Sequence, residues 1–283
     1  MTDEALIGLI RKRSRRIRVL PSATRTTGSL PRPARAVIFD VYGTLLIRAG
    51  DTEPDTSGRD DGVGRLVRDH HLAVGAGELR VLLRKAILQD REEARARGVS
   101  APEVRIEDIW RGLFPARDPG EIRQMIVEYE LSVHPCWPMP GSGRTVSSLA
   151  KSGMTLGIIS NAQFYTPLFL EALLGGRPEE LGFASDLCFY SWIRGEAKPG
   201  RTMFEEAAAR LCTRGIRTGQ ALVVGNDPVN DVAAASRCGF MTARLSADRR
   251  SPTESRERAE HASPDVAIAR LADLVPVVRG SAL

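Results

Sequence analysis

At 283 residues the chain has room for one large or two modest domains, and its 42% hydrophobic and 27% charged content is ordinary for a soluble globular protein. No stretch approaches the ~18 apolar residues of a membrane span, and the basic cluster follows the mildly apolar first ten residues, the wrong order for a secretory signal. The net charge of +5 is uneven: residues 1–35 hold nine Arg or Lys against two acids, which leaves the remainder slightly acidic.

Residues 1–34 read as a flexible basic extension. Leu6, Ile7, Leu9 and Ile10 suit a short helix, and Pro21, Gly28, Pro31 and Pro33 then punctuate a polar linker. Its arginines, from Arg11 to Arg18, suit a solvated arm better than nucleic-acid contact, because no aromatic residue is interleaved. Ala36–Asp40 is a short apolar run ending on a carboxylate, the pattern of a buried parallel strand. Asp51–Gly62 is a loop. Helical spacing then dominates: Leu79, Leu82, Leu83, Ala86 and Ile87; Ile106, Ile109, Trp110 and Leu113; Ile122, Met125, Ile126 and Tyr129. The last helix starts at Asp118 as N-cap, with Pro119 and a capping-box partner in Glu121. No strand is expected between 50 and 140. His70-His71 and the His134-Pro135-Cys136 corner read as structural.

Beyond Pro140, strands and helices alternate. Helix Thr145–Lys151 precedes strand Thr155–Ser160, and helix Gln163–Leu174 precedes strand Leu187–Tyr190. Helix Thr202–Leu211, strand Ala221–Val224, helix Val232–Cys238, strand Phe240–Leu245 and strand Val266–Ile268 follow. This alternation predicts a Rossmann-like α/β fold with a parallel, doubly wound sheet. Residues 35–48 and 140–283 form that core, and 49–139 form a smaller all-helical insertion over the rim that holds Asp40. Four scattered cysteines with no Cys-x-x-Cys pair are free thiols, and the expected compartment is the reducing cytoplasm.

Four strand ends carry polar groups: Asp40 with Gly43 and Thr44; Ser160 with Asn161; Lys198; and the turn Gly225-Asn226-Asp227-Pro228-Val229-Asn230-Asp231. In one parallel sheet such ends converge on one crevice. A carboxylate on a rigid strand end can act as a covalent nucleophile. Carboxylates from the first and fourth ends make a hard oxygen site suited to Mg²⁺. The hydroxyls of Thr44 and Ser160, free N–H groups in their turns and the point charge of Lys198 can hold a transferring phosphoryl group.

In these stretches the chain resembles the haloacid dehalogenase-like (HAD) hydrolase superfamily. The matches are Phe39-Asp40-Val41-Tyr42-Gly43-Thr44-Leu45, Ile158-Ile159-Ser160-Asn161, Lys198-Pro199, and Val223-Val224-Gly225-Asn226-Asp227-Pro228-Val229-Asn230-Asp231. The resemblance implies Asp40 as nucleophile, and Thr44, Gly43, Ser160, Asn161 and Lys198 as phosphate binders. It also implies Mg²⁺ on Asp40, the Tyr42 carbonyl, Asp227 and Asp231, with a helical cap in the insertion. Two departures pull in opposite directions. Family phosphatases place an acid two residues after the nucleophile, where this chain has Tyr42, as the L-2-haloacid dehalogenase branch does. That branch needs no metal and attacks carbon. Its fourth motif is rich in Ser and Asn, whereas here Asp227 and Asp231 stand in that motif, Asn226 precedes them, and Phe204 follows the lysine without a hydroxyl. The expected activity is Mg²⁺-dependent hydrolysis of a small phosphorylated metabolite. The alternatives are a metal-independent dehalogenase-type hydrolase and a catalytically weak binding protein. The sequence leaves oligomeric state open.

Overall fold

The computed structural model describes residues 1–49, 62–249 and 263–280, so most of the expected Asp51–Gly62 loop lies outside it. Its centre is β2 (Ala36–Phe39), buried at all four positions. Val37 and Phe39 enter one apolar cluster, and Ala36 and Ile38 enter the other. That is the alternation of a strand covered on both faces. The first cluster is completed by α6 (Ser142–Lys151) and α7 (Thr166–Leu174), the second by α9 (Thr202–Thr213) and α10 (Ala234–Arg237).

Strands β5 (Thr155–Ser160) and β7 (Ala221–Gly225) flank β2 in parallel register, with Ala36 opposite both Thr155 and Ala221. The sheet has seven strands. From one edge they run β1 (Thr27–Gly28), β9 (Val266–Ile268), β8 (Met241–Leu245), β7, β2, β5 and β6 (Phe183–Tyr190). Every pairing is parallel except β1 with β9. The chain builds outward from β2 to β5 and β6, then returns to build β7, β8 and β9 on the other side. The order therefore reverses between β2 and β7, where ligands of open α/β sheets bind.

The insertion contains α2 (Gly62–Asp69), α3 (Ala76–Ala96), α4 (Ile106–Leu113) and α5 (Pro119–Val133). Trp110 is its anchor, 1% exposed and packed against Phe114 and Tyr129. Asp118 caps α5 through the N–H groups of Gly120 and Glu121. The Glu121 carboxylate departs from the expected capping box and instead accepts from Arg117 and meets His70. His70 is buried between Glu121 and Glu128, each at 3.3 Å. The insertion is joined to the core by a two-stranded antiparallel ribbon of β3 (Leu46–Arg48) and β4 (Cys136–Pro138). Strand β4 was not expected, because three residues between prolines carry no alternation to read.

The flexible-extension reading of residues 1–34 is corrected by the structure. Helix α1 (Asp3–Arg13) buries Leu6, Ile7 and Ile10 in the main core against α7. Arg11 donates to the carbonyls of Glu171 and Ala172 near the end of α7, Arg13 pairs with Glu128, and Asp3 pairs with Arg123 of α5. Further on, β1 extends the sheet. The basic residues hid a short apolar stripe whose partner lies some 160 residues away.

Candidate active site

The β2–β7 switch point delivers the expected constellation. Asp40 follows β2, its N–H held by the carbonyl of Val224 at 2.9 Å. Lys198 comes from the loop after α8 (Ser191–Arg194). The Lys198 ammonium donates to Asp40 Oδ1 at 2.8 Å, to Asp231 Oδ1 at 2.5 Å and to the Ile159 carbonyl at 3.1 Å. All three of its protons are thus committed. Burial alone would push this ammonium's pKa down; Asp231 and Asp40 outweigh it and hold the group above its ordinary value. For Asp231, burial is the largest cause and pushes the carboxyl up to about 6, against the pull of Lys198.

Ser160 and Thr44 are fully buried and line no part of the cavity. Ser160 Oγ donates to Asp40 Oδ1 at 3.0 Å, and Thr44 Oγ1 donates to Asp40 Oδ2 at 3.3 Å. Both hydroxyls hold the Asp40 carboxylate. Asn161 clips the lysine loop: its Oδ1 accepts from the Lys198 N–H at 2.6 Å, and its Nδ2 donates to the Lys198 carbonyl at 3.1 Å. Gly43, at φ +85°, lets the turn pass beside the Asn226 side chain, where a Cβ would collide. The N–H groups of Gly43 and Thr44, expected to meet phosphate, bond instead to the carbonyls of Leu46 and Val41.

The cavity at this point measures about 290 Å³. Besides Asp40, Lys198, Asn161 and the 226–231 turn, it is lined by Tyr42, Ile47, Arg48, Met139 and Asp248. Among the described residues, α2 to α5 contribute no lining side chain; the ribbon does, through Ile47, Arg48 and Met139's flank. Among the described residues the insertion therefore meets the cavity through its connecting strands. Arg48 lies over the Tyr42 ring, 5.1 Å from its centre, and donates to Glu130 at 2.8 Å. Burial pushes Glu130 up, but Arg48 and His134 together bring it below its usual value. The Tyr42 hydroxyl meets Thr166 Oγ1 at 2.9 Å, and burial raises its pKa. Phe204 lies in the second core cluster against Phe240, away from the cavity. Asp248 was missed by the motif search, although it is the next strand end along, three residues after β8.

The residues expected to bind Mg²⁺ do not fit that ion as arranged. Lys198 stands between Asp40 and Asp231, the two carboxylates a cation would bridge. Asp231 Oδ2 accepts from the Asp227 N–H at 2.9 Å. Asp227 is occupied as a cap: Oδ1 accepts from Val229 and Asn230 N–H, and Oδ2 accepts from the Asn230 amide. Among the described residues, no group of three or more His, Cys, Asp or Glu side chains is placed to hold a metal.

Comparison with known proteins identifies the family and the fold. The haloacid dehalogenase-like hydrolase family matches residues 34–239, well over half the chain. This chain belongs to the haloacid dehalogenase-like hydrolases. No curated protein sequence matches it. Among solved structures it is similar to L-2-haloacid dehalogenase from Xanthobacter autotrophicus, with 20% identity, TM-score 0.51, and coverage of 88% of this chain and 100% of the other. It is also similar to 2-haloacid dehalogenase from Pseudomonas syringae pv. Tomato DC3000, with 21% identity, TM-score 0.54, and coverage of 87% and 99%. A HAD phosphatase from Thermococcus onnurineus gives 20% identity, TM-score 0.53, and coverage of 88% and 100%. At such identities the likeness is one of fold. Among the described residues, no helix is long and apolar enough to cross a membrane.

Proposed function

We propose that this HAD-like hydrolase works without a metal, by attack of Asp40 on a carbon that bears a leaving group. The observation that carries the reading is the Lys198 ammonium bridging Asp40 and Asp231. Oδ1 of Asp40 is held by Lys198 and Ser160, whereas Oδ2 has only the long contact from Thr44 among the hydrogen bonds described. Oδ2 is therefore the attacking oxygen. It forms a C–O bond to the substrate carbon as the leaving group departs with its electron pair, leaving an aspartyl ester. Water then adds to the Asp40 Cγ and gives its proton to Asp231. The tetrahedral centre collapses, the departing alkoxide takes the remaining water proton from the new Asp40 carboxyl and leaves as the alcohol, and Asp231 releases its proton to solvent, which restores both carboxylates. Lys198 stabilises the oxyanion of that step.

The nature of the leaving group supports this reading over phosphate ester hydrolysis. An alkoxide leaving from phosphorus needs an acid, and the phenol at the acid's place is tied to Thr166 with its pKa raised by burial. A halide leaves unprotonated. The two dehalogenase relatives named above agree with carbon chemistry, and the phosphatase relative shows that the fold admits both.

The test is halide release from 2-bromopropionate and 2-bromopropionamide in the presence of a chelator, in wild type and Asp40→Asn. Release that survives the chelator and vanishes in the variant is expected. A single turnover in H₂¹⁸O should place the label in Asp40. Hydrolysis confined to an aryl phosphate and dependent on Mg²⁺ would overturn the proposal in favour of the phosphatase reading.

A further inference from the structure

The insertion touches the core a second time, away from the ribbon. Residues 100–105, between α3 and α4, form a strap along the loop that carries Lys198. The Glu103 N–H donates to the Gly195 carbonyl at 3.0 Å, and the Ala197 N–H donates to the Ala101 carbonyl at 2.7 Å. Between these bonds Pro102 and Glu196 form an antiparallel bridge. The lysine loop thus has a backbone partner from the insertion immediately before Lys198.

The loop after β5 ties the same two segments together. Its Asn161 holds the Lys198 N–H and carbonyl. Two residues on, Gln163 holds the strap: its Nε2 donates to the Val104 carbonyl at 2.9 Å, and its Oε1 accepts from the Ile106 N–H at 3.1 Å. A third link joins loop and strap through Ser191. The Ala162 N–H donates to Ser191 Oγ at 2.9 Å, and that Oγ lies 2.7 Å from Glu103 Oε2 and 3.2 Å from the Ala162 carbonyl. A hydroxyl has one proton, and the nearer acceptor is a carboxylate. Ser191 therefore donates to Glu103, which leaves its lone pairs toward the Ala162 N–H. Ser191 is fully buried and the Glu103 side chain is 8% exposed, so little water is at hand to replace either partner.

Building on the hydrolytic reading above, we infer that Glu103 is a positioning residue for Lys198, acting through Ser191 and the 161–163 loop. A lysine has a flexible four-carbon stem, so where its ammonium rests depends on how its backbone is held. That ammonium holds Oδ1 of Asp40. The insertion therefore serves the chemistry by fixing the lysine as well as by bordering the cavity.

The experiment follows two readouts in wild type, Glu103→Ala, Glu103→Gln and Ser191→Ala. The first is amide hydrogen exchange by NMR, which needs no substrate. Glu103→Ala should speed exchange at Ala162 and Lys198 by about tenfold and leave the amides of β2 unchanged. Glu103→Gln keeps an acceptor for Ser191 and should restore most of the protection. The second is halide release from the two brominated substrates. In Glu103→Ala, kcat should fall about tenfold and KM stay within about twofold, because the lysine shifts while the cavity wall does not. The double variant Glu103→Ala/Ser191→Ala should lose no more than either single one, since both break one link. Exchange that rises equally in β2, or that stays unchanged at Ala162 and Lys198, would overturn the inference. Additive losses in the double variant, or a Glu103→Gln that behaves as Glu103→Ala, would do the same. The expected exchange pattern in a protein that releases no halide would refute the hydrolytic reading and leave the positioning role standing. Halide release with an unchanged kcat in Glu103→Ala would do the reverse. If Glu103→Ala does not fold, Ser191→Ala carries the same test from the core side.

Discussion

Replacing Lys198 by Met tests the network on which the site rests. The lysine is 5% exposed, and its three donors go to Asp40, Asp231 and Ile159. Methionine fills similar volume but leaves two buried carboxylates without their shared cation. Removing one partner of a buried charge pair costs about 3–5 kcal/mol. The cost should depend on pH in a definite direction. In the variant, burial without a cation disfavours ionised carboxyls in the folded state, so stability rises as pH falls and the folded state takes up a proton. One proton taken up fully between pH 7 and 5 returns about 2.7 kcal/mol. Wild type also gains over that interval, because burial raises the Asp231 carboxyl to about 6; for a single group there the gain is about 1 kcal/mol. The gap between the two proteins should therefore narrow by roughly 1 kcal/mol. Urea unfolding at pH 7 and pH 5, followed by circular dichroism, measures both terms. A destabilisation under about 1 kcal/mol, or a gap that stays constant with pH, would show that Asp40 and Asp231 do not depend on this ammonium.

Two other outcomes follow from the same structure. Turnover should fall as pH drops through about 6, because protonated Asp231 cannot accept a proton from water; a rate that is flat from pH 7 to 5 would remove Asp231 as the base. Ile10→Ala, at a position that a solvated arm would leave exposed but that is fully buried, should cost about 2–5 kcal/mol in thermal or urea unfolding. A loss near zero would return residues 1–34 to the status of a loose extension.

The convergence of the candidate site was legible because strand ends are local signals. Asp40, Ser160 and Asp231 each close or follow an apolar run, and parallel pairing brings such ends together whatever lies between them. The roles within that centre were less legible. Whether Ser160 and Thr44 face a ligand or the Asp40 carboxylate depends on rotamers and burial, and both turn inward to Asp40. Asp227 and Asp231 look alike as acids four residues apart. One became the cap of its own turn and the other the partner of Lys198, a division decided by which backbone N–H groups each could reach.

Strand alternation, the helical insertion and the superfamily motifs were determined by the amino-acid order itself, since each rests on spacing within a few tens of residues. The docking of α1 on α7, the ribbon that lines the cavity and the seat of Asp248 beside Leu20 were decided only in three dimensions. Those contacts join segments more than 80 to more than 220 residues apart. Periodicity reports which face of an element is apolar and carries no record of what will cover it.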